Sequence, residues 1–424
     1  MLMTFSILLR LLGEQVSVSL RISPAPPEGQ PSVLHVDPSR RRVVVMDLVG
    51  KRQPATLGRD GRNQNVFSFD AAYPPESSQA EVSAGVLADV IRCVLSGSDG
   101  CVLGLGCADV VGLRPEMVEQ ALGLTGERAL LDMQDGIGPG GGVLGVCSVL
   151  MEGSWSSMVG SGESLQKLGL VPCAISWLYS AIERRREKTW TDLTVSVSAV
   201  ELCCGEEDTI RDLLGELSLQ PGSIQDSPKA HIRLHEDPVH GTQLRNHNRV
   251  KASTAERAAS LLDAAMAARR HNDFLTYLSH TSIMFFTLHV QPPRTESSTI
   301  GKGSRGPTKL TMIDVCSGMR GMSKNKPPYS ELGPVVISLL SGHKTNPTKG
   351  SKLTMLLREA LGHVNCHTAV IAEVDDSLAR LQETLSTIQL AARIRRTQKR
   401  TKVSHMSRSK GHHLFMASVL EPFL

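Results

Sequence analysis

The sequence predicts an α/β fold, a central and mostly parallel sheet with helices on both faces. Two observations point there. Short apolar runs of strand character alternate with stretches whose apolar residues recur at helical spacing, and no Pro/Ser-rich linker interrupts that alternation. With 424 residues and 41% hydrophobic content, the chain is long enough to bury a large core. One domain over residues 14–396 is the expectation, after a ragged N-terminus at 1–13 and before a basic, disordered tail at 397–424.

Alternation in Val16, Val18 and Leu20 reads as the first strand, Arg42 to Met46 as another, and Phe67-Ser68-Phe69-Asp70 as a short third. Ser78 reads as the N-cap of a helix carrying Val82, Val86, Leu87, Val90 and Ile91 and ending at Gly97. Cys101 to Gly106 is a compact apolar run bounded by glycine, as a buried strand feeding a loop would be. From Val111 to Glu152 the chain changes character and is read as an insertion. Order resumes with a helix at Leu170–Arg184, a strand at Leu193–Leu202 and a short acidic helix at Glu206–Leu217. Ser253 or Thr254 caps a helix over Ala255–Arg270. Strands are expected at Ile283–Val290, Lys309–Val315 and Thr368–Glu373, and helices at Leu332–Ser341, Lys352–Leu361 and Thr384–Arg396.

The net charge of +4 hides an asymmetry. Between Ala391 and Leu414 stand eight Lys or Arg and no acid, so the rest of the chain carries −4. Such a block suits an acidic partner. Nine cysteines, an odd number without a C-x-x-C pair, fit a reducing compartment. No run reaches the ~18 apolar residues of a membrane span, and Met1–Leu12 lacks the features of a signal peptide. An intracellular location is therefore the expectation.

Three segments in order carry a family resemblance. Lys344-Thr345-Asn346-Pro347-Thr348-Lys349-Gly350-Ser351-Lys352-Leu353-Thr354-Met355-Leu356-Leu357 is followed by Leu361-Gly362-His363-Val364-Asn365-Cys366, and then by Glu383-Thr384-Leu385-Ser386-Thr387-Ile388. This order resembles a kinesin motor domain, a P-loop NTPase-type fold, over roughly residues 15–396. Leu170-Val171-Pro172-Cys173-Ala174-Ile175, Asp237-Pro238-Val239-His240-Gly241-Thr242 and Ser323-Lys324-Asn325 look most like the divergent kinesin-eleven group. That resemblance implies microtubule binding with a defective ATPase site.

Phosphate binding in such folds needs G-x-x-x-x-G-K-[ST], whose backbone amides cradle the phosphates, whose Lys neutralises them and whose hydroxyl ligates Mg²⁺. No Gly-Lys in this chain precedes Ser or Thr. The loop opens at Gly106 and resumes beyond the insertion at Gly153, with Ser154 at the Lys position and Trp155 at the hydroxyl position. At the first switch Ser282 survives, while His280, Thr281 and Ile283 replace a Ser, the Arg and the His. At the second switch Asp314 keeps its type, Ser317 stands for the phosphate-sensing Gly and Met319 for the Glu. Arg21 keeps the first position of the adenine-side R-x-R-P, whose second Arg is lost. Little or no ATP turnover is expected, no residue is assigned as catalytic, and ATP with Mg²⁺ enters only if the degenerate pocket still holds nucleotide.

The microtubule-facing positions implied by the resemblance carry Lys324, Lys326, Lys344, Lys349, Lys352 and Arg358. Signalling or cargo proteins are further expected partners. Two other readings stand beside this one, a motor with residual ATP hydrolysis and a non-motor scaffold that binds no microtubule. The Gly136-x-Gly138-x-x-Gly141 match to a dinucleotide loop contains Pro139 and follows no strand. His231 with His235, and His363 with Cys366 and His367, lack a fourth ligand, so no metal is expected. The basic run has no interleaved aromatics, so no nucleic acid is expected.

Overall fold

The computed structural model describes residues 16–22, 32–46, 66–106, 109–110, 154–155, 158, 169–189, 192–204, 208–215, 232–237, 241–271, 281–292, 306–316, 331–341, 351–361, 366–376, 378 and 381–397. The expected N-terminus at 1–13, the insertion at 111–152 and the tail beyond 397 lie outside them. Five short strands come first: β1 (Val16–Ile22), β2 (Leu34–Asp37), β3 (Arg42–Val45), β4 (Val66–Ser68) and β5 (Ala71–Tyr73). Helix α1 (Gln79–Ser96) leads into β6 (Asp99–Leu105), then β7 (Asp109–Val110) and β8 (Ser154–Trp155). Helix α2 (Leu170–Thr189) precedes β9 (Thr194–Cys204), β10 (Thr209–Asp212), β11 (Arg233–Asp237), β12 (Gly241–Arg245) and β13 (Val250–Lys251). After α3 (Ala255–His271) come β14 (Thr281–Gln291), β15 (Thr308–Cys316), α4 (Leu332–Leu340), α5 (Lys352–Leu361) and β16 (Cys366–Val374). A last helix, α6, spans 381–397.

Nine strands form the central sheet in the order β10-β9-β14-β15-β6-β16-β1-β5, with β13 also on β9. The expected predominance of parallel pairing holds for only half of it. Strands β15, β6, β16, β1 and β5 run parallel to their neighbours, whereas β10, β13, β9, β14 and β15 are joined by antiparallel ladders. The sheet is therefore mixed. Strand β14 pairs with β9 from Thr281↔Cys204 to Gln291↔Thr194, and its near-continuous burial explains why it reads as apolar.

Neighbouring residues of the central strands supply separate cores on the two faces. Leu103 and Ile313 pack with Val335, Val336, Leu356 and Ile388 from α4, α5 and α6. Val102, Met312 and Phe286 pack with Leu87, Leu178 and Leu261 from α1, α2 and α3. Helices on both faces are thus what the structure has. Helix α1 starts where expected: the Ser78 hydroxyl accepts the Glu81 N–H at 3.2 Å. It stops at Gly97, whose φ of 100° places it in the left-handed region.

The expected helix over Glu206–Leu217 does not form. Thr209–Asp212 instead is an edge strand paired with Val200–Cys203. Helix propensity loses here to ladder hydrogen bonds and to the ion pair from Arg211 to Glu201 directly opposite it. The β11–β12 hairpin was also not anticipated. Strands β2, β3 and β4 make a small separate sheet. Asp376 anchors it, accepting the Val33 and Leu34 N–H groups at 2.8 and 2.7 Å and the Ser32 hydroxyl at 2.7 Å.

Candidate functional site

The candidate nucleotide site lies at the C-terminal ends of β6 and β15, where ligands bind in open α/β sheets. Strand β6 ends at Gly106, whose φ is 146° and on which a Cβ would stand 2.5 Å from the Glu373 carbonyl oxygen. Only glycine fits a backbone so close to β16. Beyond it, Asp109 pairs with Trp155 and Val110 with Ser154 in a two-stranded antiparallel ribbon. The two ends of the expected insertion are thereby joined by main-chain hydrogen bonds.

Beside this loop, one row across the sheet brings charges together. Arg211 opposes Glu201, Glu201 opposes Met284, Met284 opposes Asp314, and Asp314 opposes Gly104. Directly opposed residues share a face, so Glu201 and Asp314 both point to the α3 side. There α3 carries a buried stripe of Ala258, Leu261, Leu262 and Ala265. Arg269, four residues beyond Ala265, continues that stripe in the last turn and is 5% exposed.

The Arg269 guanidinium is held on every side. Its Nη1 donates to Asp314 Oδ2 at 2.8 Å, its Nε to Glu201 Oε1 at 3.2 Å, and its Nη2 to the Ser282 hydroxyl and carbonyl at 3.0 and 3.3 Å. The Ser282 hydroxyl in turn donates to Glu201 Oε1. Arg211 Nη2 reaches Glu201 Oε2 at 3.1 Å. Two arginines and two carboxylates thus form a charge-balanced cluster, the arrangement that lets buried charges persist.

Ser282 and Asp314 both bond to Arg269, and the cluster adds Glu201, Arg211 and Arg269 itself, which the sequence reading missed. The available signals were slight: a glutamate inside an alternating strand and an arginine at the end of an apolar helix stripe. Arg21 is buried at the end of β1 and donates to the Gln79 side chain. Burial lowers the Arg21 pKa, and the Glu373 carboxylate opposes that. Ser154 and Trp155 form β8, while Gly153 and Ser317 lie outside the described residues.

On the other face, α5 buries Leu353, Leu356, Leu357, Ala360 and Leu361, and Ser351 caps it by accepting the Thr354 N–H at 3.1 Å. Its basic residues are partly engaged. Lys352 is exposed and donates to the Asp208 carbonyl at 2.6 Å. Arg358 pairs with Glu236 of the β11–β12 hairpin. Lys324, Lys326, Lys344 and Lys349 lie outside the described residues.

A mixed nine-stranded sheet with helices on both faces, ending at a glycine turn beside paired switch-like strands, is the α/β frame of a P-loop NTPase-type fold. The family model of the kinesin motor domain matches residues 152–397, and the chain belongs to that family. It is 38% identical over 397 residues to Kinesin-like protein KIF26B of Homo sapiens, covering 90% of this chain and 16% of that protein. It is 38% identical over 420 residues to Kinesin-like protein KIF26A of Mus musculus, covering 94% of this chain and 20% of that protein. Against Kinesin-like protein CG14535 of Drosophila melanogaster the identity is 31% over 385 residues, covering 88% of this chain and 30% of that protein. The chain therefore spans less than a third of the length of these relatives. Strands β1 and β5 and helix α1, which precede the matched residues, are built into the same sheet and core.

Proposed function

We propose that this domain docks on microtubules through its basic face and hydrolyses little or no ATP. The observation that carries the reading is the ribbon pairing Asp109–Val110 with Ser154–Trp155. A phosphate cradle needs successive backbone N–H groups converging on one point at a helix N-terminus. Strand pairing aims those groups at the neighbouring strand. In addition, no Gly-Lys-Ser/Thr occurs anywhere in the sequence. Ser282 and Asp314, which the resemblance would set near Mg²⁺ and the γ-phosphate, are committed to Arg269 and Glu201. These residues do not fit ATP with Mg²⁺, and no chemical step is assigned to them.

Docking is supported by family membership and by α5, which presents Lys352 on its exposed side while its apolar stripe seats it on the sheet. Attraction between this side and the acidic tubulin surface would be screened by salt. Co-sedimentation of the 424-residue chain with microtubules tests this at rising salt, in ATP, in a non-hydrolysable analogue and without nucleotide. Equal binding in the three states, weakening with salt, is expected. A difference between ATP and the analogue would overturn the inactive-site reading. Lys349→Glu with Lys352→Glu should weaken binding about tenfold or more; unchanged binding would remove α5 from the interface.

A further inference from the structure

We infer that the arginines of the β2–β3 turn and of the α6 end form one binding surface for an acidic polypeptide segment, separate in its elements from α5. The turn carries Arg40, Arg41 and Arg42 in succession. Asp37 shapes it, accepting the Ser39 hydroxyl at 2.6 Å and the Arg40 N–H at 3.0 Å. Arg41 sits at φ 54°, a left-handed conformation that asparagine or glycine adopts more easily.

Helix α6 brings the second set to the same place. Arg395 donates to the Ser68 carbonyl at 3.0 Å and to Asp70 Oδ1 at 2.9 Å. Ser68 is also the residue opposite Arg42 in the β3–β4 ladder, and the Arg41 carbonyl accepts the Phe69 N–H at 2.9 Å. Segment 68–70 is therefore in contact with both the turn and the end of α6. Arg393 and Arg396 project from that helix end and are exposed.

The acids of this face among the described residues, Asp37 and Asp70, are already engaged. Asp37 holds Arg40, and Asp70 holds Arg395 and accepts the Val18 N–H. Arg41, Arg42, Arg393 and Arg396 remain exposed, with no acidic partner among the described residues. Four like charges on folded backbone make a fixed positive field, and planar guanidinium forks suit carboxylates. Single-stranded nucleic acid would need stacking rings, yet Phe69 is fully buried and Phe67 packs against the core. A membrane surface is favoured by apolar residues beside the charges; Val43 and Val45 of β3 face inward, and Met46, at the end of β3 away from the turn, is exposed. The surface thus fits a run of Asp and Glu.

Fluorescence anisotropy of a labelled ten-residue polyglutamate peptide, titrated with the full chain at low salt, tests the assignment. Arg41→Asn with Arg393→Gln and Arg396→Gln removes three charges that hold no acid in the fold, and should weaken binding about tenfold. Lys399→Gln with Arg400→Gln and Lys402→Gln reports on the adjoining tail and should cost less. Lys349→Glu with Lys352→Glu should leave peptide binding unchanged, so failure here and failure of microtubule docking are separable. Unchanged binding in the arginine triple variant overturns the inference, as does loss caused by the tail variant alone. Tighter binding of an oligo-dT strand or of phosphatidylserine vesicles than of the peptide would overturn it as well.

Discussion

Arg269 and Arg358 both stand in the last turn of a helix and both meet a glutamate, but they do so under opposite conditions. The Arg269 side chain is 4% exposed, its partner Glu201 3%, and a second carboxylate and a hydroxyl complete its shell. Arg358 is 22% exposed and Glu236 52%. In the first case water cannot replace a lost partner, so every donor is committed and the pair is part of the fold. In the second, water or another protein can compete. The face expected to meet a partner therefore keeps adjustable charges, and the switch-like strands keep fixed ones.

Arg269→Met is the strongest way to break that contrast. It leaves Glu201 and Asp314 buried without their shared cation and should cost about 3–5 kcal/mol, read as a lower midpoint in urea denaturation. Adding Glu201→Gln and Asp314→Asn should return part of that loss, because the penalty belongs to uncompensated charge. No recovery would mean that packing, and not charge, is what Arg269 supplies.

A second buried group sits in the same antiparallel half. The His289 pKa is pushed down to about 3 by burial, with Arg249, His247 and Lys309 adding repulsion. Its Nε2 lies 2.8 Å from the Ser198 hydroxyl. The folded state thus disfavours the proton that the unfolded chain binds near its ordinary value of 6.5. Stability from this group is full above that value and is lost as pH falls from it toward about 3. Thermal melts should show His289→Gln losing less stability than the parent between pH 7 and pH 4, by on the order of a few kcal/mol. Parallel curves would place the acid sensitivity elsewhere.

Arg358→Ala should be the mildest change, within ~1 kcal/mol of the parent in urea. Its Nη2 is buried without a hydrogen-bond partner among the described residues, so the substitution costs little there. A loss comparable to that of Arg269→Met would erase the distinction between the two arginines.

Much of the fold was legible because periodicity reports burial. Ser78 and Gly97 bracket α1 as cap chemistry requires, and strands such as Thr308–Cys316 and Cys366–Val374 extend the expected runs by a residue or two. What escaped was set by partners distant in sequence. Thr209–Asp212 is a strand because Val200–Cys203 offers it a ladder. The β11–β12 hairpin is polar and half exposed, so its alternation is weak: Leu234 and Leu244 pack on the core and the buried Thr242 is polar. Ser282 and Asp314 were picked out by resemblance, but Arg269, 45 positions before Asp314, could be joined to it only by the sheet row and the helix above it.

By itself the sequence determined the kind of element in most segments, the α/β class and the absence of a Gly-Lys-Ser/Thr phosphate loop, since local spacing and residue type are properties of neighbours in the chain. Tertiary structure alone decided that half of the sheet runs antiparallel, that the ends of the interrupted loop pair as Asp109–Val110 with Ser154–Trp155, and that Asp314 faces an arginine. Those outcomes depend on which surfaces meet once water is excluded, and a buried charge there must find its partner from whatever part of the chain the fold brings near.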